Sequence, residues 1–100
     1  MKIILTCYAG MSSSLLVRRM RNYAQEQGIE LTISAVPITE LSSHLQGVDL
    51  VLLGPQISCM AAEVRLLLPA STPILAIDKE DYGLLRGDEV MKKVLAKLAD

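Results

Sequence analysis

The sequence lacks tryptophan and phenylalanine altogether, and three tyrosines are the only aromatic residues among its 100 positions. Proteins that bind single-stranded nucleic acid stack the bases on aromatic side chains, so this scarcity argues against that class of ligand. The formal net charge of -1 also lacks the basic excess that attracts a polyanion. We therefore expect no nucleic-acid partner.

Cysteine and histidine are equally scarce, since Cys7, Cys59 and His44 are the whole set. They show neither the short ligand spacing of a zinc site nor a disulfide framework, so we expect no metal, no cofactor and a reducing, cytoplasmic location. No apolar run approaches the roughly 18 residues of a membrane-spanning helix. The apolar run after Lys2 is also shorter than the roughly 7 to 15 residues of a signal peptide's apolar region, so we expect neither export nor a membrane span.

What the sequence does contain is a regular alternation of apolar segments. Its hydrophobic content of 51% suffices for the core of a single domain spanning residues 1–100. Short apolar or alternating runs predict strands, and apolar residues at helical spacing predict helices. The predicted order is strand 2–7, helix 12–27, strand 31–35, helix 39–45 with Thr39 as its cap, strand 48–53, helix 57–68, strand 73–77, a loop over 78–83, and a last helix with Val90, Val94, Leu95 and Leu98 on one face.

Strands separated by helices indicate an α/β fold, with a parallel sheet covered by helices on both faces. The uninterrupted apolar runs of the first and third strands are typical of buried strands, and the alternation over 31–35 is typical of an edge strand. Right-handed crossovers then favour the order 2-1-3-4, an open flavodoxin-like or phosphatase-like sandwich. Ligands of such sheets bind where the strand order reverses, which predicts a site at Cys7 with residues 54–58 beside it.

Cys7 is the candidate functional residue, because it ends the first strand and precedes a turn of small and hydroxylic residues, Tyr8-Ala9-Gly10-Met11-Ser12-Ser13-Ser14. Backbone N–H groups in such a turn, with a helix N-terminus behind them, can stabilise a thiolate and hold a tetrahedral anion. The pattern predicts a cysteine that accepts and donates phosphoryl groups. A plainer interpretation stays open, in which Cys7 is a small buried side chain and the serines only cap the helix.

The other reactive or charged residues have plainer interpretations. Cys59 lies within a predicted amphipathic helix and is expected to pack in the core, whereas His44 is expected in solvent. Asp78 and Asp81 are expected to cap the loop over 78–83, with an approach to the site as acids left open. Three basic residues of the first helix are expected in solvent, with docking of an acidic partner as the second interpretation: Arg18, Arg19 and Arg21.

Three segments carry a resemblance to a known family: the run from Cys7 to Ser14, then Leu52-Leu53-Gly54-Pro55-Gln56, then Asp81-Tyr82-Gly83. Over essentially its full length the chain resembles the IIB component of the lactose/cellobiose (chitobiose) family of the bacterial sugar phosphotransferase system. That family has a strand-end C-x-x-G-M-S-[ST]-S pattern, which this sequence matches. The resemblance implies a phosphotransferase in which Cys7 takes a phosphoryl group from a histidine of the IIA component. The phosphocysteine then passes it to a sugar, expected to be a β-linked di- or oligosaccharide, held by the IIC membrane transporter.

The same resemblance implies which residues serve the relay. The loop is expected to bind the phosphoryl group through its N–H groups and hydroxyls, which makes Tyr8, Ala9, Gly10, Met11, Ser12, Ser13 and Ser14 the predicted phosphate-binding residues. Direct transfer brings both reacting groups within contact distance. We therefore expect the partner to contact the surface around Met11, Gln56, Ile57 and Tyr82.

Two other functions remain open on the sequence. Low-molecular-weight tyrosine phosphatases share the strand-cysteine-loop-helix plan, but their C-x5-R motif requires arginine where this chain has Ser13. Without that guanidinium the loop is expected to stabilise hydrolysis poorly and to favour transfer. A phosphatase-like cysteine enzyme and a non-catalytic regulatory domain of the same fold are the alternatives.

Overall fold

The strands of the sheet are parallel and follow the order β2-β1-β3-β4, as the sequence predicts. The computed structural model describes residues 1–8 and 11–99, apart from the side chains of residues 11 and 12. Its elements are β1 (Lys2–Cys7), α1 (Met11–Glu26), β2 (Thr32–Pro37), a 3₁₀ segment (Ile38–His44), β3 (Leu50–Leu53), a second 3₁₀ segment (Pro55–Met60), α2 (Ala61–Leu67), β4 (Ile74–Ala76), α3 (Lys79–Gly83) and α4 (Gly87–Ala99).

The first strand is the centre of this order, because it pairs with both β2 and β3. Cys7 lies opposite Pro37 of β2, and Thr6 lies opposite Leu53 of β3. The last strand is three residues long and pairs only with β3 in the described sheet. Connections from β1 therefore diverge to the two sides, and the reversal of strand order falls between β1 and β3.

Helices cover both faces of the sheet. Successive side chains of a strand point to opposite faces, and both sets are apolar here, so each face is buried under helices. One face packs against α1 and α4, and the other against α2 and the two 3₁₀ segments. The strand residues of the first face include Ile3, Leu5, Ile33, Leu50 and Leu52, and those of the second include Ile4, Val36, Val51 and Leu53. Burial on both faces explains the uninterrupted apolar runs of β1 and β3.

The first helix ends where the sequence predicts. Its predicted stripe of Leu16, Met20 and Ala24 is buried, with Tyr23 half-buried beside it. Gly28 has a φ of +69°, a left-handed conformation that side chains with a Cβ adopt at a cost. The amide of Ile29 donates to the carbonyl oxygen of Ala24 at 2.8 Å, which closes the helix end. The chain can therefore turn directly into β2.

Helices α1 and α4 approach each other closely at Gly87. A Cβ built at Gly87 would lie 2.6 Å from the backbone carbonyl carbon of Arg19 and 2.7 Å from the nitrogen of Met20. Atoms of side chains do not approach backbone so closely, so only glycine allows this contact. Val90 and Val94 continue the contact as part of the core, as predicted.

Three local predictions were wrong. Thr39 does not cap a helix: the segment is 3₁₀ and follows Pro37, with no side-chain cap. The predicted helix 57–68 is divided, because Ile57 has a φ of -119° and the residues before Ala61 are 3₁₀. The predicted loop over 78–83 contains α3, which begins where the carboxylate of Asp78 accepts a hydrogen bond from the Glu80 amide at 2.9 Å.

None of the described helices is both long and apolar enough to cross a lipid bilayer.

Candidate functional site

Cys7 lies at the carboxyl end of β1, at the reversal of strand order. The neighbouring strand ends at the same edge, and the Gly54 amide donates to the carbonyl oxygen of Thr6 at 3.0 Å. A Cβ added to Gly54 would lie 3.5 Å from the Cβ of Cys7, which confirms that the segment after β3 is adjacent to the cysteine. Such a reversal is where open α/β sheets bind ligands.

The thiol is nearly covered, since only 2% of the Cys7 residue surface is exposed. Tyr8, which follows it, is 59% exposed, so the chain leaves the core within one residue. Ala9 and Gly10, and the side chains of Met11 and Ser12, lie outside the described residues. The predicted roles of these four residues therefore remain predictions.

The N-terminus of α1 supplies a positive electrostatic end next to this strand end. The helix begins at Met11 and runs for 16 residues, and its first turn carries no acidic side chain. The first N–H groups of a helix have no intrahelical acceptor, and the helix dipole favours an anion there. The short connection between Cys7 and α1 thus places the positive end close to the cysteine.

Ser13 and Ser14 differ although they are neighbours in the first turn of α1. Ser13 is fully buried, and its Oγ lies 2.8 Å from the phenolic oxygen of Tyr82. Ser14 is exposed. The buried hydroxyl of Ser13 is therefore held by a residue of α3, 69 positions further along the chain.

The predicted partner-contact residues separate into buried and exposed ones. Ile57 is fully buried in the core under the second 3₁₀ segment, and Tyr82 is only 7% exposed. An apolar side chain at Ile57 and an aromatic ring at Tyr82 are more stable inside, so neither side chain is displayed on the surface. The predicted partner contact of the surface around them remains a prediction. Gln56 is exposed beside Gly54 and keeps its predicted role as a proposal.

Cys59 is exposed, so the prediction that it packs in the core was wrong. It lies in the 3₁₀ segment Pro55–Met60, whose turn of three residues changes which side chains face inward. Ile57 takes the buried position instead. His44 is exposed on the surface, as expected.

Among the other charged candidates, Asp78 caps the helix α3 rather than a loop, and Asp81 does not cap but is buried and bridges α3 to α4. Its Oδ2 accepts a hydrogen bond from Lys93 Nζ at 2.6 Å, and its Oδ1 lies 3.7 Å from Arg86 Nη1. The hydrogen bond to Asp81 raises the pKa of Lys93 above its ordinary value. These contacts fix the orientation of the short helix that carries Tyr82.

The first-helix arginines are exposed, as expected, and Arg21 donates from its guanidinium to the carbonyl oxygen of Ile33 at 2.5 Å. Docking of an acidic partner on Arg18 and Arg19 stays a prediction. Within the residues that the structure describes, no group of three or more histidine, cysteine, aspartate or glutamate side chains could hold a metal ion.

Sequence reasoning missed the contacts of Asp81 and of Ser13 with their partners. Asp81 and Lys93 are 12 positions apart and lie on different helices, so no helical spacing predicts their contact. The serine and tyrosine are separated by most of the chain, and only folding of α3 against α1 brings them together. The one available signal was the Asp-Tyr-Gly segment, because it is one of the three segments that carry the family resemblance.

Fold and site together define an open α/β protein with a strand-end cysteine at the switch point of its sheet, in front of a helix N-terminus. A sequence model described as "PTS system, Lactose/Cellobiose specific IIB subunit" matches residues 2–93. The chain therefore belongs to the lactose/cellobiose-specific IIB family of the sugar phosphotransferase system, as the resemblance implied.

Similar proteins from three bacterial strains carry EIIB names with different sugars. The galactose-specific EIIB component of Lactococcus lactis subsp. cremoris (strain MG1363) is 40% identical, over 89% of this chain and 88% of the relative. The cellobiose-specific EIIB component of Lactococcus lactis subsp. lactis (strain IL1403) is 39% identical over the same shares. The oligo-beta-mannoside-specific EIIB component of Bacillus subtilis (strain 168) is 34% identical, over 99% of this chain and 97% of the relative.

Solved structures agree with the fold. The lactose-specific IIB domain of Streptococcus pneumoniae superposes with a TM-score of 0.85, covering 96% of this chain and 95% of that one, at 17% identity. At this low identity, the likeness to the Streptococcus pneumoniae domain is one of fold alone. The solution structure of the cellobiose-specific IIB component of Borrelia burgdorferi has a TM-score of 0.74 and 39% identity, covering 92% of this chain and 85% of that one.

Proposed function

We propose that this protein is a phosphoryl carrier in which Cys7 accepts a phosphoryl group from a phosphohistidine of a IIA component and passes it to a sugar bound by a IIC transporter. The observation that carries the proposal is the position of Cys7 at the end of β1, between Gly54 of the neighbouring strand end and the positive end of α1. Membership of the lactose/cellobiose-specific IIB family supports it.

The reaction consists of two displacements at phosphorus. In the first, the Cys7 thiolate forms an S–P bond while the N–P bond of the donor phosphohistidine breaks, and the electron pair returns to the imidazole nitrogen. In the second, a sugar hydroxyl attacks the phosphorus and loses its proton to a base of the IIC transporter or to water, the S–P bond breaks, and its electron pair restores the thiolate. A thiolate is a competent nucleophile and leaving group for both steps.

Charge on the transferred group needs stabilisation during both displacements. We propose that the N–H groups of residues 8–13, the hydroxyls of the first turn and the N-terminal dipole of α1 provide it. The hydroxyl of Ser13 occupies the position where a phosphatase motif has arginine, so a bidentate guanidinium clamp is missing. A weaker cradle suits a carrier that releases the phosphoryl group to the next acceptor.

The sugar and the location are part of the proposal. Relatives are named for galactose, cellobiose and oligo-beta-mannoside, which supports a sugar as the final acceptor, and we propose a β-linked di- or oligosaccharide. A free thiol at the site requires a reducing compartment, so we propose that the chain works in the cytoplasm.

Intact-mass spectrometry tests the carrier role. The protein is incubated with phosphoenolpyruvate, the general phosphotransferase proteins and a lactose/cellobiose-type IIA component, beside Cys7→Ser and Cys59→Ser variants. We expect one phosphoryl adduct in the wild type and in Cys59→Ser, none in Cys7→Ser, and loss of the adduct when membranes with IIC and sugar are added. Cys59→Ser is the matched control, because it removes the exposed thiol and leaves the site intact.

The burial of Cys7 is also what a non-catalytic domain of this fold would show. The two functions give opposite results in the same assay. Absence of an adduct with several competent IIA donors would remove the carrier role in favour of the regulatory domain. Turnover of p-nitrophenyl phosphate that disappears in Cys7→Ala would instead establish a phosphatase.

A further inference from the structure

The hydroxyl groups of Ser13 and Tyr82 form a buried polar pair. Their oxygens are 2.8 Å apart, Ser13 is fully buried, and Tyr82 is 7% exposed. The ring of Tyr82 packs in the core cluster between the sheet, α1 and α4. Burying two hydroxyls costs free energy unless they bond to each other, so the hydrogen bond offsets this cost and holds the two side chains together.

The helix that carries Tyr82, α3, is fixed in place by contacts of its own residues. Asp78 caps the start of α3, and Asp81, the residue before Tyr82, bonds to Lys93 of α4. The phenolic oxygen is therefore a fixed point against which the first turn of α1 rests. Ser13 is in contact with this fixed point on one side and follows the cysteine loop on the other.

The acidity of the two hydroxyls determines which of them donates the hydrogen bond and which accepts it. A phenol is a much stronger acid than an aliphatic alcohol, so the arrangement in which Tyr82 donates to the Ser13 oxygen is favoured. The proton of Ser13 is then available to a different acceptor. An anion formed at Cys7, either the thiolate or the thiophosphate, is the acceptor that the proposed function supplies.

We propose that Tyr82 is a positioning residue of the phosphoryl-transfer site: it holds Ser13 and the first turn of α1 so that they donate to the anion at Cys7. The inference rests on the proposed carrier function and deepens it. It assigns a role in the reaction to a side chain that does not itself touch the phosphoryl group.

The test compares single and double variants in a Cys59→Ser background, so that Cys7 is the only thiol. The variants are Tyr82→Phe, Ser13→Ala and their combination. Tyr23→Phe is the matched control, because Tyr23 lies half-buried in the same core cluster and its phenolic oxygen makes no hydrogen bond to another described residue. Circular dichroism first establishes that each variant is folded and melts cooperatively.

Two readouts are measured on the folded proteins. The first is the single-turnover rate of phosphoryl transfer from phosphorylated IIA, for which we expect a loss of about ten-fold or more in Tyr82→Phe, since small misplacements of reacting groups cost up to about 100-fold. The second is the pH profile of Cys7 alkylation by iodoacetamide, whose midpoint we expect to rise by roughly half a pH unit or more when a donor to the thiolate is lost. A packing role alone would leave this midpoint unchanged.

The combination distinguishes a shared role from two separate ones. We expect Ser13→Ala and Tyr82→Phe to have similar effects on both readouts, with no further loss in the double variant, because both changes break the same connection. Tyr23→Phe is expected within two-fold of the reference rate. Normal transfer and an unchanged alkylation midpoint in folded Tyr82→Phe would overturn the inference while leaving the carrier function in place.

Failure of the carrier function itself has a different signature. A reference protein that takes no phosphoryl group overturns the carrier role, and the alkylation profiles then decide separately whether Tyr82 influences Cys7. If the reference also fails to react with iodoacetamide, both proposals are overturned.

Discussion

Replacement of Gly87 by alanine tests the packing that places α1 behind the cysteine. The new Cβ would lie 2.6 Å from both the carbonyl carbon and the Cβ of Arg19, and 2.7 Å from the nitrogen of Met20. Two of these three atoms belong to the backbone of α1, so no rotamer change relieves the overlap. Ordinary contact distances begin near about 3.5 Å, and the helices would have to separate by roughly 1 Å.

The expected loss of stability follows from this overlap. Forcing extra atoms into a packed interior costs about 1 to 3 kcal/mol, and occasionally more. Alanine recovers at most about 1 kcal/mol through its better helix propensity, and less at the first residue of a helix. We expect the free energy of unfolding to fall by about 1 to 3 kcal/mol, which at about 4 to 8 °C per kcal/mol lowers the melting temperature clearly.

Urea and thermal unfolding followed by circular dichroism measure this change, and two other glycines provide matched controls. A Cβ at Gly83 would meet no atom within 4 Å, so Gly83→Ala is expected to be neutral or slightly stabilising. Gly28 has equally free space but a φ of +69°, so Gly28→Ala is expected to cost about 1 kcal/mol from backbone strain alone. If Gly87→Ala is as stable as Gly83→Ala, the close contact between α1 and α4 does not exist in solution.

Three further predictions concern single residues. Thr6 is fully buried and its hydroxyl has no partner among the described residues, so Thr6→Val should raise the free energy of unfolding in urea by about 1 kcal/mol; a loss would reveal a partner for the hydroxyl. The hydrogen bond to Asp81 raises the pKa of Lys93, so this contact stabilises the fold while Lys93 is protonated. Its contribution is fully present below the unfolded pKa of lysine, about 10.4, and is lost as pH rises through the higher folded pKa. Asp81→Asn should therefore melt at a lower temperature than the wild type at pH 7 with a gap that narrows above about pH 10.5, and a constant gap would contradict this. A bulky thiol reagent, which is limited by access rather than by thiolate character, should label exposed Cys59 well before buried Cys7, as peptide mapping over time would show. The reverse order would contradict the burial of Cys7.

The position of the cysteine and the architecture around it were predictable because the signals for them are local. Uninterrupted apolar runs identify β1 and β3 as buried strands, and the alternation of Leu31, Ile33 and Ala35 identifies an edge strand. Sheet order follows from these two classes of strand together with the handedness of the crossovers. A cysteine at the end of the first strand then lies at the reversal of strand order without further information.

Predictions failed where an irregular turn decides which side chains face the core and which face solvent. The pattern after β3 is compatible with a helix that begins at Ile57, and such a helix would bury Cys59. The chain instead makes a 3₁₀ segment from Pro55 to Met60, in which Ile57 is buried and Cys59 is exposed. Proline at the start of the segment and the non-helical backbone at Ile57 decide which of its side chains face inward. The spacing of apolar residues does not predict this.

The sequence by itself determined the α/β fold, the strand order, the family and the place of the candidate cysteine at a strand end, because the signals for each lie along the chain. Only the tertiary structure decided that Tyr82 turns inward to Ser13 and that Gly87 meets Arg19. These contacts join residues on different helices, and they exist only once the sheet has brought α1, α3 and α4 to one face. The surroundings of the candidate cysteine are therefore a product of packing between distant segments, whereas its position at the end of a strand follows from the local sequence.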